Sequence, residues 1–222
     1  MTTRKPRATR PVEQPRRSDL LDAAERVFHR RSYAGASMQE IADEFGVLKG
    51  SLYHYVRSKE ELLLEVEERA HHKILGRMQS TIGQTDDEIG RIWLYIYTMV
   101  HTLAEEPAIG GLAKAALELP PGKGRRRILR ERKKFEDLLL GLLEDAQAAG
   151  RLSKTLNLQI TAYGILGMAQ STDLWYKPEG SVPPHEIARI LTDLLVSGLV
   201  SDGAFDSSAL ANPIADQRTA PD

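Results

Sequence analysis

The stretch that decides the fold runs from Met38 to Tyr55 and reads MQEIADEFGVLKGSLYHY. Ile41, Phe45, Val47, Leu52 and Tyr55 have the spacing of two short helices packed against each other. Ala42 is small where the two would cross, and Gly46 lies between them, where the chain needs a left-handed residue to turn. Such a corner is either a tight turn in an all-helical core or a helix-turn-helix, whose second helix enters the DNA major groove. The second segment displays Lys49, Ser51, Tyr53 and His54, groups that can meet phosphates or base edges, and this favours the helix-turn-helix.

The flanks agree. Ser37-Met38-Gln39-Glu40 reads as a capping box, in which hydroxyl and carboxylate satisfy free amide donors at a helix start. Ser58-Lys59-Glu60-Glu61 repeats the pattern and opens a long helix, with Leu62, Val66, Ala70, Ile74, Met78 and Ile82 recurring every fourth residue. Upstream, Leu20, Leu21, Ala24, Val27 and Phe28 mark a first amphipathic helix over about residues 17–30, followed by a break around Ser32 to Ala36. The periodicity predicts further helices near 87–104, 108–119, 124–149, 158–176 and 184–200. The one near 87–104 is apolar on most faces and should run through the middle of a bundle. No strand alternation interrupts the pattern, so an all-α fold of about nine helices is expected.

GVLKGSLYHYVRSKEELL is similar to the signature of the TetR-type (TetR/AcrR) transcriptional regulators, over about Ser18 to Leu64. The resemblance implies a dimer with three N-terminal DNA-binding helices (17–57) and a helical ligand-binding and dimerisation domain (58–200), coupled by the helix starting at Ser58. It assigns Ser37, Tyr53, His54 and Lys59 to phosphates, and Lys49, Gly50 and Ser51 to base edges of a double-stranded operator with inverted half-sites. The chemistry agrees: Ser37 and Lys59 stand at helix starts, where free amides favour phosphate, and Gly50 lets the backbone come close. Leu48 departs from the family pattern, which has a small or polar residue there. It either touches a thymine methyl or packs inward, and packing is slightly favoured.

Composition narrows the alternatives. The chain has 222 residues, 41% of them hydrophobic, and no cysteine, which excludes disulfides and thiolate metal sites. The net charge of −1 hides a basic arm over residues 1–16, expected to be disordered, that either reaches a polyanion or is a solvated tail. A second disordered segment is expected over 201–222. No apolar run reaches the roughly 20 residues of a membrane span and no secretory leader opens the chain, so a cytoplasmic protein without membrane partner is expected. His71 and His72 are adjacent and point to different helix faces, whereas a helical metal pair needs i and i+4. No nucleophile elbow, P-loop or dinucleotide fingerprint is present. Neither catalysis, a metal nor a cofactor is expected.

The C-terminal half suggests a ligand. Trp93, Tyr97, Met99, His101, Met168 and Trp175 are either core or the lining of an apolar cavity between two helices. The basic run Arg125 to Lys134 is either a solvated helix start or a docking site for an anionic group, with Arg126 and Arg130 as candidate ligands for phosphate. Trp175-Tyr176-Lys177-Pro178 with Gly180 resembles a segment of TetR-type regulators of lipid and steroid breakdown, several of which answer to coenzyme A thioesters. A hydrophobic effector, or its coenzyme A thioester, is therefore expected. The stripe Ile187, Ile190, Leu191, Leu194 and Leu195, with Gly164, Gly167 and Ala169 on the preceding helix, suggests a homodimer through the last two helices. Two other readings compete: a small-molecule-binding or enzyme-like bundle, and an architectural DNA binder without effector.

Overall fold

The computed structural model describes residues 17–177 and 179–200, without the side chains of residues 107, 108, 111 and 112. The expected arm (1–16) and tail (201–222) lie outside the described residues. Among the described residues the fold is all-helical, with α1 (Arg17–Gly35), α2 (Met38–Phe45), α3 (Lys49–Leu52), α4 (Lys59–Ile82), α5 (Glu88–Glu105), α6 (Pro107–Leu117), α7 (Lys123–Ala148), α8 (Leu158–Gln170), α9 (Thr172–Trp175) and α10 (Pro184–Leu199). The ten segments match the expected nine because the penultimate helix divides at Ser171 into α8 and α9. No described helix is long and apolar enough to cross a membrane.

Local chemistry explains the boundaries. The Ser37 hydroxyl accepts from the Glu40 amide at 3.2 Å, and the Ser37 amide donates back to the Glu40 carboxylate at 3.0 Å, completing the capping box of α2. Gly46, at φ 78°, turns the chain between α2 and α3 in the left-handed region that a Cβ disfavours. Ser58 caps α4 by accepting from the Glu61 amide at 3.1 Å. Here the returning carboxylate takes the Arg57 amide at 2.6 Å instead of that of Ser58, so the second box is shifted by one residue. The break expected after the first helix falls inside α1, as a kink at Ser32, whose φ of 58° is positive.

Two apolar cores organise these helices. The first joins α1, α2 and α3 through Leu20, Val27, Phe28, Ile41 and Leu52, and it continues into Leu62, Leu63 and Val66 of α4. Ala116 of α6, Leu119 of the α6–α7 link and Ile128 of α7 complete it. The second surrounds α5, which is buried on nearly every face and packs against α4, α7, α8 and α10, as its uninterrupted apolar sequence requires. Polar atoms inside this bundle find specific partners: the Trp93 indole donates to Asp193 Oδ1 of α10 at 2.8 Å, and the Tyr95 hydroxyl donates to the Phe135 carbonyl at 2.8 Å.

Candidate functional site

The corner built by α2 and α3 turns a set of polar groups outward. Ser37, Lys49, Gly50, Tyr53 and His54 are exposed, and Ser51 is half-buried. Leu52 and Val56 are the inward positions of the same segment, so helical geometry alone separates the core side from the displayed side. A Cβ on Gly50 would meet nothing within 4 Å, so no packing inside the protein requires glycine there. Tyr55 pairs edge-on with Phe45 at 5.4 Å between ring centroids, in keeping with a packing role.

One position differs from the sequence reading, and another has partners that the sequence did not show. Leu48 does not pack inward: it is 80% exposed, because as N-cap of α3 its extended backbone (φ −68°, ψ 143°) throws the side chain to the outside. Lys59 does not stand free at its helix start. Its ammonium donates to the carbonyls of Tyr33 and Ala36, both at 2.8 Å, and lies 4.6 Å from the Tyr33 ring centroid. A cation in that place satisfies the orphan carbonyls where α1 ends. Lys59 thus ties the start of α4 to the link that carries Ser37.

The second candidate site is a cavity of about 670 Å³ inside the C-terminal bundle. Ile74, Met99, Leu103, Ile109, Leu117, Phe135 and Leu166 supply apolar wall, while His71, Arg132, Lys133, Lys114, Gln170, Glu136 and Asp173 add polar groups. Its walls come from α4 through α9. Arg132 donates to Gln170 Oε1 at 2.8 Å, bridging α7 to α8. Beneath the wall, Glu67 is 1% exposed and its Oε2 lies 3.6 Å from His71 Nε2. Burial pushes the Glu67 carboxyl up to about 8, against a smaller pull from Arg132, and burial also drives the His71 imidazole down to about 4. Among the described residues neither Glu67 Oε1 nor His71 Nδ1 has a hydrogen-bond partner.

Most residues expected to line a cavity lie elsewhere. Met99 does line it. Trp93 and Tyr97 stack at 4.8 Å, and Tyr97 stacks on His101 at 5.6 Å, forming a buried aromatic row outside the cavity wall; Trp93 is held toward α10 by Asp193. Met168 and Trp175 are exposed, the latter by 49%. At the tryptophan motif Trp175 ends α9, the Tyr176 hydroxyl donates to the Val182 carbonyl at 3.0 Å, the Gly180 amide donates to the Lys177 carbonyl at 2.9 Å, and Pro178 lies outside the described residues. Arg126 and Arg130 are exposed and outside the cavity wall; one helical turn apart, they share a stripe with Lys133, which does line it. Arg127, Lys133 and Lys134 pair with Glu68, Asp137 and Glu131 respectively. His71, Arg132 and Gln170 were missed. The four-residue step from Glu67 to His71 was visible, but nothing in it showed that α7 would bury the pair.

The last two helices leave apolar surface outside. Ile160, Tyr163, Leu174, Ile190 and Leu194 are exposed, and a Cβ on Gly164 or Gly167 would meet nothing within 4 Å. Ile187, Leu191 and Leu195 instead pack partly against the bundle core, and Ala169 is buried within it, so the outward stripe is narrower than the sequence suggested.

Comparison with known proteins fits this arrangement. Residues 20–66 match the family model described as bacterial regulatory proteins, tetR family, and residues 85–199 match the one described as tetracyclin repressor-like, C-terminal domain. The HTH-type transcriptional repressor KstR2 of Rhodococcus jostii is 24% identical over 84% of this chain and 92% of its own. The structure of FadR from Bacillus subtilis in complex with stearoyl-CoA superposes with a TM-score of 0.72 at 22% identity, covering 83% of this chain and 100% of that one. That of AibR in complex with isovaleryl coenzyme A and operator DNA gives 0.70 at 24% identity, covering 83% and 97%. A helix-turn-helix on a capped corner, a cavity-bearing helical bundle behind it and both family models together lead to one conclusion: the chain belongs to the TetR family of DNA-binding transcriptional regulators.

Proposed function

We propose that this protein is a homodimeric repressor that leaves its operator when a hydrophobic effector, presented as a coenzyme A thioester, fills the cavity. The observation that carries this reading is a shared wall. α6 and α7 border the cavity through Ile109, Leu117, Leu129 and Arg132, and the same two helices and their link insert Ala116, Leu119 and Ile128 into the DNA-binding core. A ligand that spreads the cavity wall therefore pushes on the core that sets the position of α3. Release follows only if the ligand prefers the DNA-incompetent arrangement.

The thioester part rests on two supports. Arg126 and Arg130 lie on the exposed stripe of α7 beside the cavity, free of ion pairs among the described residues, where they would meet carrier phosphates. FadR and AibR were each captured with a coenzyme A thioester. On the DNA side, Ser37, Tyr53 and His54 would contact phosphates, Lys49, Gly50 and Ser51 would approach base edges, and exposed Leu48 would meet a thymine methyl. Lys59 serves by holding the α1–α2 link that presents Ser37. Exposed Ile190 and Leu194, with open Gly164 and Gly167, form the proposed dimer surface.

The test selects bound DNA from a random pool and then measures its release by matched acids and thioesters. The expected site is an inverted repeat whose half-sites lie about 34–36 Å apart or somewhat more. Thioesters should release DNA at lower concentration than their acids, and Arg126→Ala with Arg130→Ala should remove that advantage. Equal potency of acid and thioester would defeat the carrier assignment. DNA binding that no effector alters would leave an architectural protein, and thioester-dependent gain of binding would reverse the regulatory sign.

A further inference from the structure

The basic run of α7 divides by what its members touch. Arg127, Lys133 and Lys134 are paired with carboxylates, Arg132 lines the cavity, and Arg126 and Arg130 stand beside it. Lys123 and Arg125, in the first turn, belong to none of these groups. Lys123 is exposed, Arg125 is half-buried, and neither has an ion pair among the described residues. The packing of α7 on α4 fixes where they are. Gly124 lies against α4, where a Cβ would come within 2.8 Å of Glu60 Oε1 and 3.1 Å of Leu64 Cδ1. Further along, Arg127 pairs with Glu68, and Glu131 Oε2 lies 3.7 Å from His72 Nε2. Each step along α7 thus meets a step along α4, so the two helices run parallel and start at the same end of the molecule.

That end is the helix-turn-helix corner. Lys59, in the first turn of α4, donates to the Ala36 carbonyl next to Ser37, and Leu119, just ahead of α7, is buried in the core of the same corner. At about 1.5 Å per residue, Lys123 stands about one helical turn beyond Lys59, and helical side chains lean toward the N-terminus. Both cationic heads are therefore carried toward the corner. We propose that Lys123 and Arg125 form an accessory DNA contact, through which the C-terminal domain grips backbone phosphates outside the base pairs read by α3. The inference rests on the DNA-facing reading of the α2–α3 corner and extends that interface across the domain boundary.

A duplex fits this surface better than a small anion does. Two cations at a solvent-facing helix start enclose nothing, so a free anion gains little there over water. A duplex seated on the corner presents a row of phosphates, one negative charge per about 1.7 Å of its axis, and cations at its edge engage them without a pocket. Arg57, exposed one residue before the Ser58 cap, adds a third positive group at this end, and Glu60 is the carboxylate that faces Gly124. Because α7 also borders the cavity, the contact ties DNA affinity to the position of a helix that lines it.

The test measures affinity for the selected operator against salt concentration in the wild type, Lys123→Ala, Arg125→Ala and the double variant. Lys154→Ala is the control, an exposed cation beyond the far end of α7, a helix about 39 Å long. Each phosphate contact contributes about 0.9 to the log–log slope, so a dimer that loses one contact per subunit should show a slope flatter by about 1.8, and the double variant up to twice that. Lys154→Ala should keep the wild-type slope. Preference among single-base operator variants should stay unchanged, because phosphate contacts carry no sequence information. In the wild type, operator DNA should protect Lys123 from acetylation by an N-hydroxysuccinimide ester, read by peptide mass spectrometry, while Lys154 stays reactive. An unchanged slope in the double variant overturns the proposal; if that variant does not fold, undiminished acetylation of Lys123 in the operator complex does so. A flattened slope with altered base preference would overturn the phosphate assignment by making these residues base readers. No operator binding by the wild type would remove the DNA-facing reading as well, whereas binding with an unchanged slope removes only the accessory contact.

Discussion

The N-terminal core and the C-terminal bundle fill space in opposite ways. In the first, Leu20, Val27, Ile41, Ala42 and Leu52 are fully buried against one another, and free backbone groups at its helix ends are satisfied by Ser37, Ser58 and Lys59. In the second, a cavity of about 670 Å³ remains, and Glu67, His71, Thr98, Thr172 and Thr192 hold buried polar atoms without hydrogen-bond partners among the described residues. A DNA reader must present fixed groups at fixed positions, which a close-packed core secures. A region that takes a ligand must keep volume and polar capacity in reserve. In the proposed function, the difference between the cores separates the part that positions from the part that responds.

Truncations should expose that difference most strongly. Ile41→Ala removes a side chain with neighbours on all sides and should destabilise the protein by about 2–5 kcal/mol. Leu103→Ala deletes a side chain that already borders the cavity and is only half-buried, so fewer contacts are lost; about 1–2 kcal/mol is expected. Denaturant unfolding of both variants, without DNA or ligand, checks the order. Equal costs would mean that the cavity wall is as tightly supported as the core.

Titration offers a second way to sharpen the contrast. Glu67 has an ordinary value near 4.5 and is pushed up to about 8, so the unfolded chain ionises it while the folded chain keeps it protonated. Its contribution to stability therefore falls as pH rises from about 4.5 to about 8. His71, lowered from 6.5 to about 4, acts oppositely: its contribution is complete above 6.5 and is lost as pH falls toward 4. Between about 4.5 and 6.5 the two offset each other, and from 6.5 to 8 only the loss from Glu67 remains. Thermal unfolding across pH 5 to 8.5 should show this plateau and decline, and Glu67→Gln should flatten the alkaline part. A decline of the same slope in Glu67→Gln would assign it to other groups.

The smallest expected effect lies on the DNA side. Leu48→Ala keeps the backbone of α3 and removes only the exposed apolar tip, so it should cost about 1 kcal/mol of discrimination at one base position. Lys49→Ala should change base preference more broadly, whereas Tyr53→Phe should weaken all sites alike. Binding to a set of single-base operator variants distinguishes the three. An unaltered preference in Leu48→Ala would mean that this leucine is only a solvent-exposed cap.

The two regions were also unequally legible. Ile41, Gly46, Leu52 and the Ser37 capping box could be read directly because their partners lie within a few residues, where helical period and cap chemistry fix the geometry. Leu48 was harder, since a leucine at an N-cap can turn either way and only the extended backbone of that residue decided it. The cavity was harder still. Trp93 and Tyr97 have the composition of a ligand wall, yet an acceptor one hundred residues later, Asp193, draws the indole toward α10. Arg126 and Arg130 were read as the binding arginines from the density of charge, while Arg132, in the same run, is the one that reaches the cavity.

By itself the sequence determined the all-helical class, the helix boundaries within a few residues, and the inward positions of the helix-turn-helix corner. All of these follow from interactions between residues no more than about four positions apart along a helix or across one turn. Only the tertiary structure decided that α6 and α7 complete the N-terminal core, that the Lys59 ammonium closes the end of α1, and that Glu67 and His71 are buried beside a cavity. These depend on which helix faces meet across tens of residues. Burial, and with it the protonation of Glu67 and His71, is a property of that meeting and of neither helix alone.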